Sequence, residues 1–304
     1  MKNVLVIGST CVDVIIRVDH LPRTEENLHP ESQRFAIGGC AYNVANILGR
    51  AGADMTFVTP VGRKGVFGPF VREALERLSF ASMVDLPDAQ NGCCYCFVEK
   101  TGERTFCSIH GAEYTFDPAW MAPHAGKRFD YAYVCGLEIE ERTGDALIGY
   151  LETAPVDTII YAPGPRGATI PKGRTDRLLA LRPVLHLNES EALALSGEGE
   201  LDDAMRSLFA RTGRPVIVTR GAKGADWIDE TGRHSVPGAP CEAVVDTIGA
   251  GDAHIGAVLS GLCHGLSLEQ ALTMANRVSA AVVATSGATL SDEALEKATK
   301  GFLR

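Results

Sequence analysis

The run Asp246-Thr247-Ile248-Gly249-Ala250-Gly251-Asp252 holds the residue types with the clearest chemistry in this chain. Gly-Ala-Gly puts backbone N–H groups before a helix with almost no side chain in the way. The first N–H groups of a helix lack partners, and the macrodipole is positive there, so the turn can bind an anion. Asp252 would repel that anion if binding were all that mattered. It makes sense as a base that takes a proton from a hydroxyl while the N–H groups hold charge developing on a phosphoryl group. The plainer reading is a loop whose glycines let a helix pack closely, with Asp252 as a helix cap.

Three other stretches carry the same ambiguity. Gly38-Gly39-Cys40-Ala41-Tyr42-Asn43 pairs glycines before a helix. They admit a close ligand or a positive φ, and Asn43 can both donate to and accept from sugar hydroxyls. Asn188-Glu189-Ser190-Glu191 follows the apolar run Val184–Leu187. Polar groups at the carboxyl end of a parallel strand face the crevice where ligands bind, and a carboxylate there can hold Mg2+ through water. Alternatively, these acids simply suit the helix dipole. Thr219-Arg220-Gly221-Ala222-Lys223-Gly224 also follows a strand but lacks the Walker pattern.

The elements that must position these groups alternate. Strands are expected at Val4–Ile7, Thr56–Val61, Tyr131–Val134, Thr158–Tyr161, Val184–Leu187 and Val216–Thr219. Helices are expected to start near Asn43, Phe67, Glu141, Glu189, Asp202, Asp252 and Leu268, the last with a Ser267–Gln270 capping box. Continuous apolar strands with intervening helices predict a mostly parallel sheet covered on both faces, in one α/β domain spanning 1–304. Segments 14–37 and 91–113 break the alternation. They read as strands without partner helices, including a hairpin over Cys93–Ile109, and predict a small β-sheet lid.

The 304 residues carry a formal net charge of −9, so there is no basic footprint for nucleic acid or anionic lipid. The apolar run after Met1-Lys2-Asn3 is too short for a signal peptide or membrane span. Nine cysteines, an odd number, favour a reducing, cytoplasmic setting. Cys93-x-x-Cys96 with Cys107-x-x-His110 imitates zinc-ligand spacing. Cys93 and Cys96 have opposite parity on a strand, however, which favours small hydrophobes in a sheet. His254 reads as a packed residue rather than a catalytic one.

Taken together and in order, these motifs resemble the ribokinase-like (PfkB) family of carbohydrate kinases over nearly the whole chain. The resemblance implies a Rossmann-like three-layer α/β/α fold with a β-sheet lid, and transfer of the ATP γ-phosphate to a hydroxyl. It implies that Asp252 is the base and that Gly249, Ala250 and Gly251 form the anion hole. Asp13, Gly39 and Asn43 match substrate-binding positions. Asn188 and Glu191 match a pattern linked to Mg2+ and phosphate. Thr219, Gly221 and Gly224 fall in the nucleotide loop, and Asn276 lies on the helix bordering the adenine pocket. Asp246 resembles a residue beside the K+ site of some members. Glu113 or His110, ending the second lid strand, is expected to reach the acceptor. Tyr42, Arg63, Lys64 and Ala162 depart from common family patterns and leave the acceptor open.

The expected activity is ATP-dependent phosphorylation of a small sugar or polyol, by an enzyme that could pair as a homodimer through its lid. A nucleoside kinase of the same family and a catalytically silent sugar- or nucleotide-binding sensor stand as alternatives. A Rossmann dehydrogenase is excluded because no Gly-x-Gly-x-x-Gly follows Val4–Ile7.

Overall fold

Alternate residues of the first strand enter two different cores, as a strand covered on both faces requires. Val4 and Val6 pack on one side of the sheet, Leu5 and Ile7 on the other. The computed structural model describes every residue except 79, 80, 242, 286 and 304. Its strands are β1 (Asn3–Ile7), β2 (Cys11–Val18), β3 (Ser32–Gly38), β4 (Asp54–Lys64), β5 (Ala81–Gln90), β6 (Cys93–Glu99), β7 (Arg104–Ile109), β8 (Phe129–Cys135), β9 (Val156–Ala162), β10 (Val184–Asn188), β11 (Val216–Thr219), β12 (Ala225–Asp229) and β13 (Gly232–Val236).

A nine-stranded sheet runs β13-β12-β11-β10-β9-β8-β1-β4-β5. Its pairings are parallel from β11 through β5, and only the β11-β12-β13 edge is antiparallel. The chain builds outward from β1 in both directions, so strand order reverses between β1 and β8. In open α/β sheets, ligands bind outside the carboxyl ends of strands at such a reversal. Helices Cys40–Arg50, Ala250–Cys263 and Leu268–Val283 cover one face; Gly144–Leu151, Lys172–Ala180 and Leu201–Thr212 cover the other. The α/β class expected from the sequence is the one observed.

A separate four-stranded sheet runs β3-β2-β6-β7. Cys93 joins the main core while Cys96 packs with Ile15 and Val98 on the opposite side, as their parity demands.

The structure departs from the expected elements in several places. The helix expected near Glu141 is instead two helices, Gly136–Glu140 and Gly144–Leu151. Arg174 Nη1 donates to the carbonyls of Ile139, Glu140 and Glu141, satisfying a helix end that would otherwise have to continue. Strand β5 was not expected because it carries Pro87 and two aspartates, a composition tolerated at the sheet's edge. No helix among the described residues is long and apolar enough to cross a membrane.

Candidate active site

The carboxyl ends of β8, β9, β10 and β11 open onto a cavity of about 830 Å3. Cys135 and Gly136 enter it from β8, Ala162 and Pro163 from β9, Asn188 from β10 and Thr219 from β11. Gly249, Gly251 and Asp252 enter from the start of the Ala250–Cys263 helix, Phe106 and Ser108 from β7 of the small sheet, and His110 from just past β7. Residues scattered over more than 200 positions thus meet at the strand-order reversal.

The turn before that helix leaves backbone N–H groups open. Gly249 takes φ +73, a left-handed conformation that glycine adopts without cost, and a Cβ there would stand 2.4 Å from Ala288 Cβ. Among the described residues, the N–H groups of Gly249, Gly251 and Asp252 have no partner in the protein. Ala250 N–H makes only a long 3.4 Å contact with the Thr247 carbonyl. These donors are available to a ligand.

Asp252 Oδ2 accepts from Asn43 Nδ2 at 2.9 Å. Burial pushes its carboxyl up from 3.8 to about 6; hydrogen bonds from Asn43 and Cys40 oppose the rise, and the charges of Glu138 and Asp13 add to it. A carboxylate destabilised in this way is a better proton acceptor than one in water. Asn43 is buried, and its Oδ1 has no partner. Gly39, at φ +104, lets the chain turn tightly against the Ser9 carbonyl, 2.5 Å from where a Cβ would be.

Asp13 does not line this cavity. It lines a neighbouring one of about 380 Å3 with Arg34, Tyr42, Ile248 and Gly287. The two cavities share the 248–252 turn, since Ile248 borders one and Gly249 the other. Burial raises the Asp13 carboxyl to about 6, against the pull of Arg34.

Asn188 and Glu191 form a reciprocal capping box: Glu191 N–H donates to Asn188 Oδ1, and Asn188 N–H donates to Glu191 Oε2. Asn188 Nδ2 donates to the other Glu191 oxygen at 2.8 Å. The carboxyl lines the cavity, and burial raises its pKa despite the backbone N–H of Asn188. Its remaining lone pairs are hard oxygen donors of the kind that hold hydrated Mg2+. Thr219 and Gly221 border a shallow groove with Asn188 and Arg220. Gly224 does not reach the main cavity; its φ of +98 serves a close approach to the Val236 carbonyl.

Glu113, expected to reach the acceptor, does not line the cavity. It is fully buried, and its carboxyl accepts from the N–H groups of Gly92 and Gly111 and from Asn91 Nδ2. That acid holds the 91–92 and 111–113 backbones together. His110 lines the cavity instead, paired with Glu141 and packed on Tyr114. Asn276 is also buried away from the main cavity; it ends a chain in which His186 Nε2 meets His254 Nδ1 at 2.9 Å and His254 Nε2 meets Asn276 Oδ1 at 3.1 Å. Asn276 Nδ2 donates to the Pro237 carbonyl, which can only accept. That bond orients the amide, makes His254 Nε2 the donor to Asn276, and so makes His186 Nε2 the donor to His254. Burial pushes both imidazoles down, His254 to about 4, so they are neutral.

Sequence reasoning missed Glu138. It is buried, accepts from Ser9 N–H at 2.9 Å and from the Cys135 thiol at 2.7 Å, and crowds Gly8 so closely that a Cβ would stand 2.5 Å from its Oε1. Its position just past β8 is the strand-end signal that picked out Asn188.

Comparison with known proteins gives the family and the fold. The description of the pfkB family carbohydrate kinase matches residues 1–295. The chain belongs to the pfkB family of carbohydrate kinases. It is 33% identical over 293 residues to a protein of Escherichia coli K12 named uncharacterized sugar kinase YegV, covering 94% of this chain and 90% of that one. It is 28% identical to the ribokinase of Staphylococcus aureus over 97% of this chain and 98% of that one. The crystal structure of Thermotoga maritima ribokinase superposes with a TM-score of 0.83 at 22% identity, covering 99% of this chain and all of that one. Adenosine kinase from Sinorhizobium meliloti superposes at 0.84, also at 22% identity, over 97% and 98% of the two chains. The ribokinase-like fold and the carbohydrate-kinase class expected from the sequence are both borne out.

Proposed function

We propose that this kinase transfers the γ-phosphate of ATP to a hydroxyl of a small sugar or polyol, with Asp252 as the base. The observation that carries this reading is the meeting, in one cavity, of a half-buried carboxylate with a raised pKa and unpartnered N–H groups at a helix start. The acceptor hydroxyl lies beside Asp252, held from the Asp13, Gly39 and Asn43 side. Its proton passes to an Asp252 oxygen as the new O–P bond forms and the bond to the β-phosphate oxygen breaks, releasing ADP. The N–H groups of Gly249, Ala250 and Gly251 donate to the transferring phosphoryl oxygens, where negative charge is displaced. Mg2+, when bound through water to Glu191 beside Asn188, neutralises phosphate charge. Thr219 and Gly221 border the nucleotide.

We also propose that the small sheet is a lid. Phe106 and Ser108 of β7 and His110 just past it border the cavity, so closure of the sheet would exclude water and limit ATP hydrolysis.

Sugar kinase relatives favour a sugar over a nucleoside as acceptor. The test is mass-spectrometric detection of a phosphorylated product from pooled sugars, polyols and nucleosides with Mg·ATP. A sugar phosphate is the expected product. A nucleotide product would replace the acceptor class. Ligand binding without any product across the panel would mean a silent sensor.

A further inference from the structure

Asp246 precedes the phosphoryl-binding turn and organises it. Its Oδ1 accepts from Ile248 N–H at 2.7 Å, and its Oδ2 accepts from Gly287 N–H at 3.1 Å. Its own N–H, with that of Val245, donates to the Val283 carbonyl. The carboxyl therefore joins the turn to the end of the Leu268–Val283 helix and the segment beyond it. An acid only 8% exposed needs a counter-charge, because a buried charge left unpaired loses its hydration without compensation. The family resemblance would supply a monovalent ion here. The residues present do not fit one: Arg104 Nη1 lies 2.6 Å from Asp246 Oδ1, with its own side chain 17% exposed. A second cation would face a guanidinium at close range and a carboxylate with most of its lone pairs already used.

We propose that Arg104 is the resident cation of this turn: its guanidinium takes the place of a monovalent ion, so phosphate binding needs no K+. The proposal rests on reading the 246–252 turn as phosphoryl-binding. Arg104 opens β7, so the same ion pair ties the turn to the small sheet, and Ile248 packs against the Ile15, Cys96 and Val98 cluster of that sheet as a second tie. An ion could neutralise Asp246 but could not make this link. Arg104 is thus a positioning residue, acting through Asp246 on the N–H groups of Gly249 and Gly251.

The test is calorimetric binding of the non-hydrolysable imidotriphosphate analogue of ATP with Mg2+. It is run in KCl and in tetramethylammonium chloride of equal ionic strength, with folding checked by circular dichroism. The wild-type protein should bind equally in both salts, within about twofold. Arg104→Met should bind at least about tenfold more weakly in tetramethylammonium and recover when K+ or guanidinium is added. Arg104→Lys, which keeps the charge, should stay close to wild type, and it decides the matter with the wild-type salt comparison if the Met variant does not fold. Tightening of wild-type binding by K+ of about tenfold, wild-type affinity in folded Arg104→Met, or a loss that no cation restores would each overturn the proposal. Absence of wild-type binding in either salt would instead refute the phosphoryl-binding reading itself.

Discussion

Asp252→Asn should separate catalysis from stability in opposite directions. The amide keeps the acceptor that Asn43 Nδ2 uses but can neither ionise nor take a proton. Turnover should fall by at least about 10²–10⁴-fold, the range for a lost general base. Stability should rise at neutral pH. Folding raises this carboxyl from 3.8 to about 6, so the native state binds its proton more tightly than the unfolded chain does. That contribution is fully present below 3.8 and is lost as pH rises through about 6. The full difference is about 3 kcal/mol, and less where cavity water screens the carboxylate. Urea denaturation from pH 4 upward should therefore show the variant gaining on wild type by about 1–3 kcal/mol between roughly pH 4 and 6, with a constant gap above. In the same range, wild-type kcat/KM should rise with pH and level off above about 6 as the base ionises. A variant less stable at pH 7 would show that burial does not destabilise the Asp252 carboxylate, and one that keeps wild-type kcat would show that Asp252 is not the base.

Other perturbations follow from the same contacts. Asn43→Ala removes a donor that lowers the Asp252 pKa, so the acid limb of the pH–rate profile should move to higher pH; an unmoved limb would show the bond to be irrelevant to ionisation. Gly249→Ala meets both the φ of +73 and Ala288, costing about 1–2 kcal/mol for the left-handed backbone alone. Thermal melting and kcat should fall together, and a variant with wild-type kcat would remove the turn from catalysis. His254→Leu leaves His186 Nε2 and Asn276 Oδ1 without partners, a loss of about 2–4 kcal/mol read by urea denaturation; a neutral substitution would mean that the chain of side chains bears no strain.

Much of the fold was legible because buried parallel strands announce themselves. Val4–Ile7, Tyr131–Val134 and Val216–Thr219 are continuous apolar runs, and all became strands of the main sheet. Ser267 and Gln270 cap their helix as their spacing predicted, since both partners lie within one turn. Edge strands hid for the converse reason. β5 and β13 satisfy fewer apolar contacts and carry polar or turn-forming residues, so no periodicity marked them. Glu113 misled because a glutamate near a strand end can face either a ligand or unpaired backbone. Only the folded chain shows that Gly92 and Gly111 claim it.

The sequence by itself determined the local chemistry: a glycine turn able to take positive φ, a carboxylate two residues into the following helix-forming stretch, and strand ends bearing Asn188 and Thr219. These depend on neighbours only a few residues apart. Tertiary structure decided which charges meet across the chain. Arg104 reaches Asp246 across 142 positions, the charge of Glu138 is felt by Asp252, and His186 and His254 share a proton-bearing chain. Such pairings depend on where the sheet brings distant segments together, and on how far burial removes water from their charges, neither of which is encoded in any short stretch of residues.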